Sequence, residues 1–364
     1  ANLLRSLMYY RTETQPAGEI QRTIEGLGGA MSSAARHDVV LYTFVVPSAS
    51  FYETVGLIAD GLSNAVLDED VLDRHKERAK DSMKETVRRP VDRAYRLCLS
   101  EMMEGHPYGR PAEGEPEIVD GMTIEDLRDR YERVYIGPNL IVSVSGNLDP
   151  VEAADKVGEA FSVFRDGDPA EPAAPPVTWP TGSTRVELEA DVAKTAQVLA
   201  FPGPSVSDED NISMDVLLVV LMEGKSSKLN VRLKEELGLV SSIGAGWYTQ
   251  LHASPLFVWM ELPEENAEAA EAAVVELFTE LAEEPIEDDV LEKAKMLLKV
   301  GHLRMTETSQ GQAFDTAYWT FVGGMEFAEQ YTERLAAVTA EEVQRAAGRY
   351  LAEGVHTAAL VVPE

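Results

Sequence analysis

The first residues of the chain place three polar side chains at a spacing that could support metal chemistry. Asn2, Arg5 and Ser6 stand at i, i+3 and i+4 of the helix-like stretch ANLLRSLMYY. Two imidazoles at i and i+4 share one helix face and can hold a metal ion, while a carboxylate at i+3 takes a proton from the metal-bound water. An amide, a guanidinium and a hydroxyl cannot assemble such a centre. The spacing therefore fits a hydrolytic metal site, and the residue types exclude one.

The histidines of the chain give little indication of a metal site. No two of the six stand at i, i+3 or i, i+4. We interpret His75, which lies beside Glu77, as part of a charged helix face, and His106 in GHPYGRP as a turn residue. The glycines of residues 26–29, GLGG, predict a tight turn before a strand, because the chain lacks the spacing of a Walker loop or a dinucleotide fingerprint.

The elements that must position these residues occur twice along the chain. Each half has two consecutive helical stretches, then a capped helix, then a β-branched run that we predict to be a strand. Thr123 and Thr339 are the expected N-caps, and Thr339 has capping-box spacing to Glu342. The paired helical stretches are 50–66 with 67–86 and 266–284 with 286–308, and the final runs are NLIVSVS at 139–145 and HTAALVV at 356–362. We also expect a segment before residue 1, because the first helix has no cap.

The order of elements predicts the fold class. VVLYTFVVP at 39–47 and PLFVWMELP at 255–263 are predicted strands, each followed by helices. This order favours an α+β fold over a doubly wound one. We expect two homologous domains, each a mixed or antiparallel sheet with helices on one face, in a clamshell arrangement. The predicted boundaries are 1–165 and 182–364, joined by a proline-rich linker at 166–181.

Composition excludes several kinds of partner. With 63 acidic and 32 basic residues the net charge is −31, which repels nucleic acid and anionic membranes. The acidity fits either an adaptation to high salt or a basic partner. The single cysteine, Cys98, forms no intrachain disulfide, and no apolar run is long enough to insert into a membrane. We expect a soluble protein in a reducing compartment such as the cytoplasm, while the periplasm and the mitochondrial matrix stay open.

Three stretches of the first half carry a family resemblance: EGLGGAMSSAARHDVVLYTFVV, GHPYGRP and MTIEDLRDRYERVYIGPNLIVSVSGNLD. They are similar to insulinase-type zinc metallopeptidases (family M16), which include mitochondrial processing peptidase and the core proteins of the cytochrome bc1 complex. The second half resembles that family's second domain more weakly. The resemblance implies a zinc site formed by His-x-x-Glu-His on a helix and a Glu on a later helix.

In this chain the resemblance places degenerate residues at the zinc positions. Asn2 and Ser6 stand at the two His positions, and Arg5 stands at the position of the catalytic Glu. The third ligand position falls on Ser82, with Glu77 or Glu85 as alternatives if the register shifts. We therefore expect no catalytic residue and no bound metal in this chain, with zinc only in a partner subunit.

The resemblance also implies a substrate-binding role for the second half. In two-subunit bacterial members the subunit without zinc often carries an Arg and a Tyr that hold substrate near the partner's metal. Lys234 and Ser241 stand at those positions here. Arg232, Trp247 and Tyr248 are the alternatives in another register, and a solvated basic residue on an amphipathic helix is the simpler interpretation of Lys234.

A peptide could also bind along a sheet edge, as the resemblance implies. The family holds peptides as an added strand, and the corresponding edge here is GGAMSSAAR, with Ser32 and Ser33 as the small polar pair. An edge covered by a partner subunit would have the same sequence.

Three functional hypotheses follow. The first is a non-catalytic subunit that closes a peptide-binding chamber with a related chain carrying an intact zinc motif. The second is a structural subunit of a larger assembly, like the bc1 core proteins, that binds no peptide. The third is an active zinc peptidase whose ligands lie elsewhere in the chain or in a segment before residue 1.

Overall fold

The protein forms two compact units, seen in a computed structural model that describes residues 1–169 and 174–364. Unit 1 comprises Ala1–Lys84, Pro111–Ala173 and Met305–Phe321. Unit 2 comprises Glu85–Arg110, Ala174–Arg304 and Val322–Glu364. Each sequence half therefore gives one segment to the unit formed mainly by the other half.

Unit 1 combines a two-stranded sheet with helices. Its strands are β1 (Ala30–Ala35) and β2 (Val40–Val45), which pair antiparallel. Its helices are α1 (Asn2–Leu7), α2 (Glu19–Gly26), α3 (Phe51–Ser63), α4 (Glu69–Val87, whose end passes into unit 2), α6 (Pro116–Gly121), α7 (Ile124–Val134), α8 (Pro150–Phe161) and most of α12 (Ser309–Val322).

The core of unit 1 is built around α1. Leu3, Leu4 and Leu7 are all at most 4% exposed and pack with α2, α3, α4 and α7. The helix ends at Leu7, because Met8 has an extended backbone and Tyr9 follows with a left-handed φ of 64°. A short helix in water is only marginally stable, so this apolar face is what holds α1 in place.

Unit 2 is organised around a five-stranded mixed sheet in the order β3-β7-β4-β6-β5. Only β3 and β7 pair in parallel; the other neighbours are antiparallel. The strands are β3 (Thr184–Ala190), β4 (Ala196–Phe201), β5 (Ser242–Gly246), β6 (Leu256–Glu261) and β7 (Thr357–Pro363). The helices are α5 (Pro90–Met102), α9 (Asn211–Met222), a π-helix (Asn230–Glu236), α10 (Ala267–Glu283), α11 (Asp288–Met305), α13 (Met325–Ala337) and α14 (Ala340–Tyr350).

Helix α5 packs on this sheet although it comes from the first half of the sequence. Ala94 and Cys98 are fully buried among residues of β4 and β7. The Cys98 thiol donates to the carbonyl of Thr357 at 3.1 Å, and burial raises the pKa of that thiol. Cys98 is thus a core residue.

Most of the predicted elements are confirmed. The fold is α+β, and three of the four predicted strands form: 39–47 as β2, 255–263 as β6 and 356–362 as β7. Thr123 and Thr339 cap α7 and α14, each with a complete capping box. Gly28 adopts a left-handed φ of 79° just before β1.

The strand predicted at 139–145 is wrong: Gly137–Asn139 forms a short 3-10 helix, and the residues after it pair with no described strand. The predicted domain boundaries, 1–165, 166–181 and 182–364, stay predictions, and residues 170–173 of the linker lie outside the described residues. No described helix has both the length and the hydropathy to cross a membrane.

Candidate functional site

The candidate site lies on the polar side of α1. Asn2, Arg5 and Ser6 are partly buried, whereas the leucines between them are buried in the core. The helical period puts i, i+3 and i+4 on one face, so the three polar side chains lie together as the sequence predicted.

Arg5 occupies the centre of this face. Its Nε and Nη2 donate to Oδ1 of Asn2 at 3.1 and 2.8 Å. Its Nη1 donates to the carbonyl oxygen of Ser33 at 3.0 Å and also to the Ser33 hydroxyl. The guanidinium therefore ties α1 to β1. A planar fork of donors suits this bridging role better than a lysine ammonium would.

Ser6 contacts a residue that the sequence interpretation left out of the site. Its Oγ lies 2.9 Å from Nδ1 of His75, on α4. The Ser6 hydroxyl donates its one hydrogen to the carbonyl of Leu3 at 2.7 Å, so His75 must be the donor, through a protonated Nδ1. Burial, reinforced by the positive charges of Arg78 and Arg74, lowers the pKa of His75 from its ordinary value. A neutral imidazole is therefore part of the face.

The candidate third ligand lies on the same helix as His75. Ser82 follows it by two helical turns on α4 and is exposed. Both alternatives for this position are held in ion pairs: Glu77 with Lys80 at 2.7 Å, and Glu85 with Arg88 at 2.8 Å. The sequence-based placement of Ser82 stays a prediction.

The residues of this face do not fit a zinc ion. The Asn2 amide oxygen accepts from a guanidinium, and the Ser6 oxygen accepts from an imidazole N–H, so each donor atom is already engaged. Arg5 adds a fixed positive charge, which repels a cation. Across residues 1–169 and 174–364, no group of three or more His, Cys, Asp and Glu side chains is arranged to hold a metal.

The proposed peptide-binding edge adjoins this face. Ser32 and Ser33 lie in β1, which pairs with β2 and with no other strand among the described residues. Ser32 is exposed, whereas Ser33 is partly buried and accepts from Arg5. The structure therefore brings Ser33 to the polar face of α1, a contact that sequence spacing did not predict.

The candidate substrate residues of unit 2 lie in different settings. Lys234 is exposed on the π-helix. Arg232 is paired with acidic residues of the same unit, Glu280 among them, which leaves it less available to a ligand. Ser241 donates its hydroxyl to the carbonyl of Glu261 at 3.0 Å.

The two aromatic alternatives also differ in exposure. Trp247 is 7% exposed and so belongs to the core of unit 2, whereas Tyr248 is 59% exposed. His106 takes the predicted turn role: it caps a short 3-10 helix, and its Nδ1 accepts from the N–H of Tyr108 at 3.1 Å. Among the candidates of unit 2, Lys234, Ser241 and Tyr248 are therefore the exposed residues.

Two family models match the chain. One, described as insulinase (peptidase family M16), matches residues 1–115, and the other, described as the peptidase M16 inactive domain, matches residues 121–298. An uncharacterised zinc protease of Streptomyces coelicolor is 27% identical over 247 residues, 66% of this chain and 53% of that protein. The chain thus matches about half the length of that relative.

Two further likenesses span the whole chain. Zinc protease PqqE of Helicobacter pylori is 22% identical over 368 residues, covering 100% of this chain and 83% of that protein. The crystal structure of a protease from Helicobacter pylori superposes with a TM-score of 0.91 at 20% identity, covering 99% of this chain and 88% of that one. At this identity the structural likeness establishes the fold alone.

Proposed function

Since the chain belongs to the insulinase (M16) peptidase family, we propose that it is a non-catalytic subunit of a heteromeric peptidase. It pairs with a related chain that carries an intact zinc motif, and the two chains enclose a peptide-binding chamber. The zinc and the catalytic base come from the partner.

The proposal is supported chiefly by Arg5, which the resemblance puts at the position of the family's catalytic base. Its guanidinium donates hydrogen bonds to Asn2 and to Ser33. A permanent positive charge therefore joins α1 to β1 on the face where a metal ion would need free ligands. An arginine keeps its proton under all physiological conditions and cannot act as a general base for water. This face can hold α1 against β1 but cannot activate water.

The peptide-binding part of the proposal rests on β1 and on Lys234. An edge strand offers main-chain donors and acceptors to an extended peptide, with little demand on its sequence. Lys234 is an exposed cation that can bind a substrate carbonyl or carboxylate. With a net charge of −31, the chain favours basic peptides at long range.

The test is peptide cleavage by the purified chain, alone and after co-expression with a homologue that has His-x-x-Glu-His. We expect no cleavage by this chain alone, and cleavage by the pair that exceeds cleavage by the homologue alone. Cleavage unchanged by this chain, or its co-purification with a large assembly that cleaves no peptide, would contradict the proposal and favour a structural subunit.

Variants separate peptide contact from assembly. In the pair, Lys234→Ala should raise KM for peptide several-fold while the two chains still co-purify, because a surface cation is lost without any change in the core. Lys299→Ala is the matched control, since Lys299 is likewise exposed in unit 2, on α11. Equal effects of the two substitutions would remove Lys234 from the substrate site.

A further inference from the structure

We propose that a cavity in unit 2 binds the C-terminal carboxylate of a peptide. The cavity has a volume of about 350 Å³ and lies beside the loop that joins α9 to the π-helix. Its lining residues are Met222, Gly224, Lys225, Ser227, Asn230 and Ile243. The inference rests on the proposed function, because the ligand is a peptide, and it adds how one end of that peptide is held.

A buried hydroxyl in this cavity lacks a partner. Ser227 is 3% exposed, and its Oγ forms no hydrogen bond within the described parts of the chain. Its main-chain groups are both used: the N–H donates to the carbonyl of Gly224 at 3.2 Å, and the carbonyl accepts from the N–H of Val231 at 3.0 Å. An unpaired buried hydroxyl costs free energy, and a ligand oxygen that accepted from it would recover that cost.

Two lysines bring positive charge to the same loop. Lys225 is exposed at the cavity, and no ion pair found in residues 1–169 and 174–364 involves it. Lys293, on α11, donates from Nζ to Oγ of Ser226 at 2.9 Å, which fixes a second ammonium beside the loop. The Asn230 amide stabilises the loop by donating to the carbonyl of Lys225 at 3.1 Å. A hydroxyl donor and an ammonium at one cavity match the two oxygens of a carboxylate.

The main chain of the loop adds further donors. Among the described residues, no main-chain hydrogen bond uses the N–H groups of Gly224, Lys225 or Ser226. Gly224 has a left-handed φ of 82°, a conformation that residues with a side chain rarely adopt. Backbone N–H groups in a concave site are an established way of holding a C-terminal carboxylate. The loop can therefore offer N–H groups as well as side chains to the ligand.

The charge of this loop differs from that of the whole chain. Residues 224–234 contain four basic residues and no acidic one, although acidic residues outnumber basic ones by 63 to 32 in the chain. At physiological salt the Debye length is about 8 Å, so distant acidic charges are screened and the nearby lysines decide what binds. An anionic group is thus attracted locally to a protein that is acidic elsewhere.

The ligand group is the end of a peptide rather than an acidic side chain. The net charge of −31 favours basic peptides at long range. A basic peptide has few acidic side chains, but it always carries a carboxylate at its C-terminus. The long-range field and the local basic loop therefore select the same ligand, a basic peptide with a free C-terminus.

Peptide binding to the purified chain tests the inference, measured by fluorescence anisotropy of a lysine-rich peptide labelled at its N-terminus. Three forms are compared: the free acid, the C-terminal amide, and an amide in which one internal Gln is replaced by Glu to restore the net charge. We expect the free acid to bind about tenfold more tightly than either amide, because it alone has a carboxylate at the chain end.

Substitutions at the cavity make the result specific. Ser227→Ala should remove most of the preference for the free acid, while the melting temperature stays the same or rises, because an unpaired buried hydroxyl is lost. Lys225→Gln removes an exposed ammonium and should reduce the preference several-fold. Lys299→Ala is the control, because Lys299 is exposed in unit 2, on α11, and does not line the cavity. This control should keep the full preference.

Three outcomes would overturn the inference. Equal binding of the free acid and its amide would do so and leave the rest of the proposed function standing. Equal binding of the free acid and the amide that contains Glu would assign the preference to net charge. Binding of none of the three peptides would overturn this inference together with the peptide-binding part of the proposed function.

Discussion

Replacing Arg5 by alanine tests whether the guanidinium holds the polar face of α1 against β1. The side chain makes two hydrogen bonds to Asn2 and two to Ser33. Its loss leaves the Asn2 amide oxygen and the Ser33 carbonyl oxygen without this donor in a partly buried setting. We therefore expect α1 to open from β1 more readily.

The magnitude follows from the type and burial of these bonds. A hydrogen bond to a charged group contributes about 1.5–3 kcal/mol when it is buried. Arg5 is only partly buried, so water can replace part of what is lost. We expect Arg5→Ala to lower the local free energy of opening by about 1–2 kcal/mol, a factor of roughly 5–30 in the opening equilibrium.

The assay is hydrogen exchange read by mass spectrometry on peptides from α1 and β1, since a global transition would mix the two units. Arg11→Ala is the control: Arg11 makes a single ion pair with Asp68 at 2.7 Å, and its side chain is 49% exposed. Such a pair contributes about 0.2–1 kcal/mol. If Arg5→Ala changed exchange no more than Arg11→Ala, the structural role of Arg5 would be refuted.

Three further predictions concern the surroundings of the site and the core. Gly61→Ala should destabilise the protein by more than about 2 kcal/mol in urea unfolding, because its Cβ would lie 2.1 Å from the Tyr9 ring. Gly56→Ala, in the same helix with open space around it, should be neutral or stabilising; similar losses in both would contradict the packing. His75 has a folded-state pKa below its ordinary 6.5, so its contribution to stability is present above that pH and is lost as the pH falls through the folded-state pKa. His75→Asn should flatten the stability profile below pH 6.5, and an NMR titration of His75 with a raised pKa would contradict it. Cys98, fully buried with a raised thiol pKa, should react with a thiol reagent only after unfolding, and fast native labelling would contradict its burial.

Local patterns predicted the local structure well. The opening stretch ANLLRSLMYY indicated a helix, which forms as α1, and the spacing of Asn2, Arg5 and Ser6 put these polar residues on one face of it. The caps at Thr123 and Thr339 followed from side chains that bond within one turn. Such features depend on residues three or four apart, so the sequence contains all the information they need.

Contacts across the fold were not predictable in the same way. Ser33 is 28 residues from Arg5, and His75 is 69 residues from Ser6. His75 was interpreted as part of a charged face because its neighbours on α4 are charged. The positions of His75 and Ser82 relative to Ser6 depend on how α4 packs, and the periodicity of α4 alone does not determine that packing.

Strand formation at 139–145 failed for a related reason. The β-branched run NLIVSVS has the composition of a strand, but a strand forms only when an adjacent strand accepts and donates hydrogen bonds. HTAALVV has such neighbours on both edges and forms β7. The two runs have similar propensity and differ in their partners.

Zinc content is the most direct test of the claim that the α1 face is a degenerate metal site. The chain is purified with zinc present, dialysed and analysed for bound metal, and its melting temperature is measured with and without added zinc. We expect no stoichiometric zinc and an unchanged melting temperature, because Asn2, Arg5 and Ser6 offer no free ligand set. One zinc per chain, with peptide cleavage by the isolated protein, would contradict it.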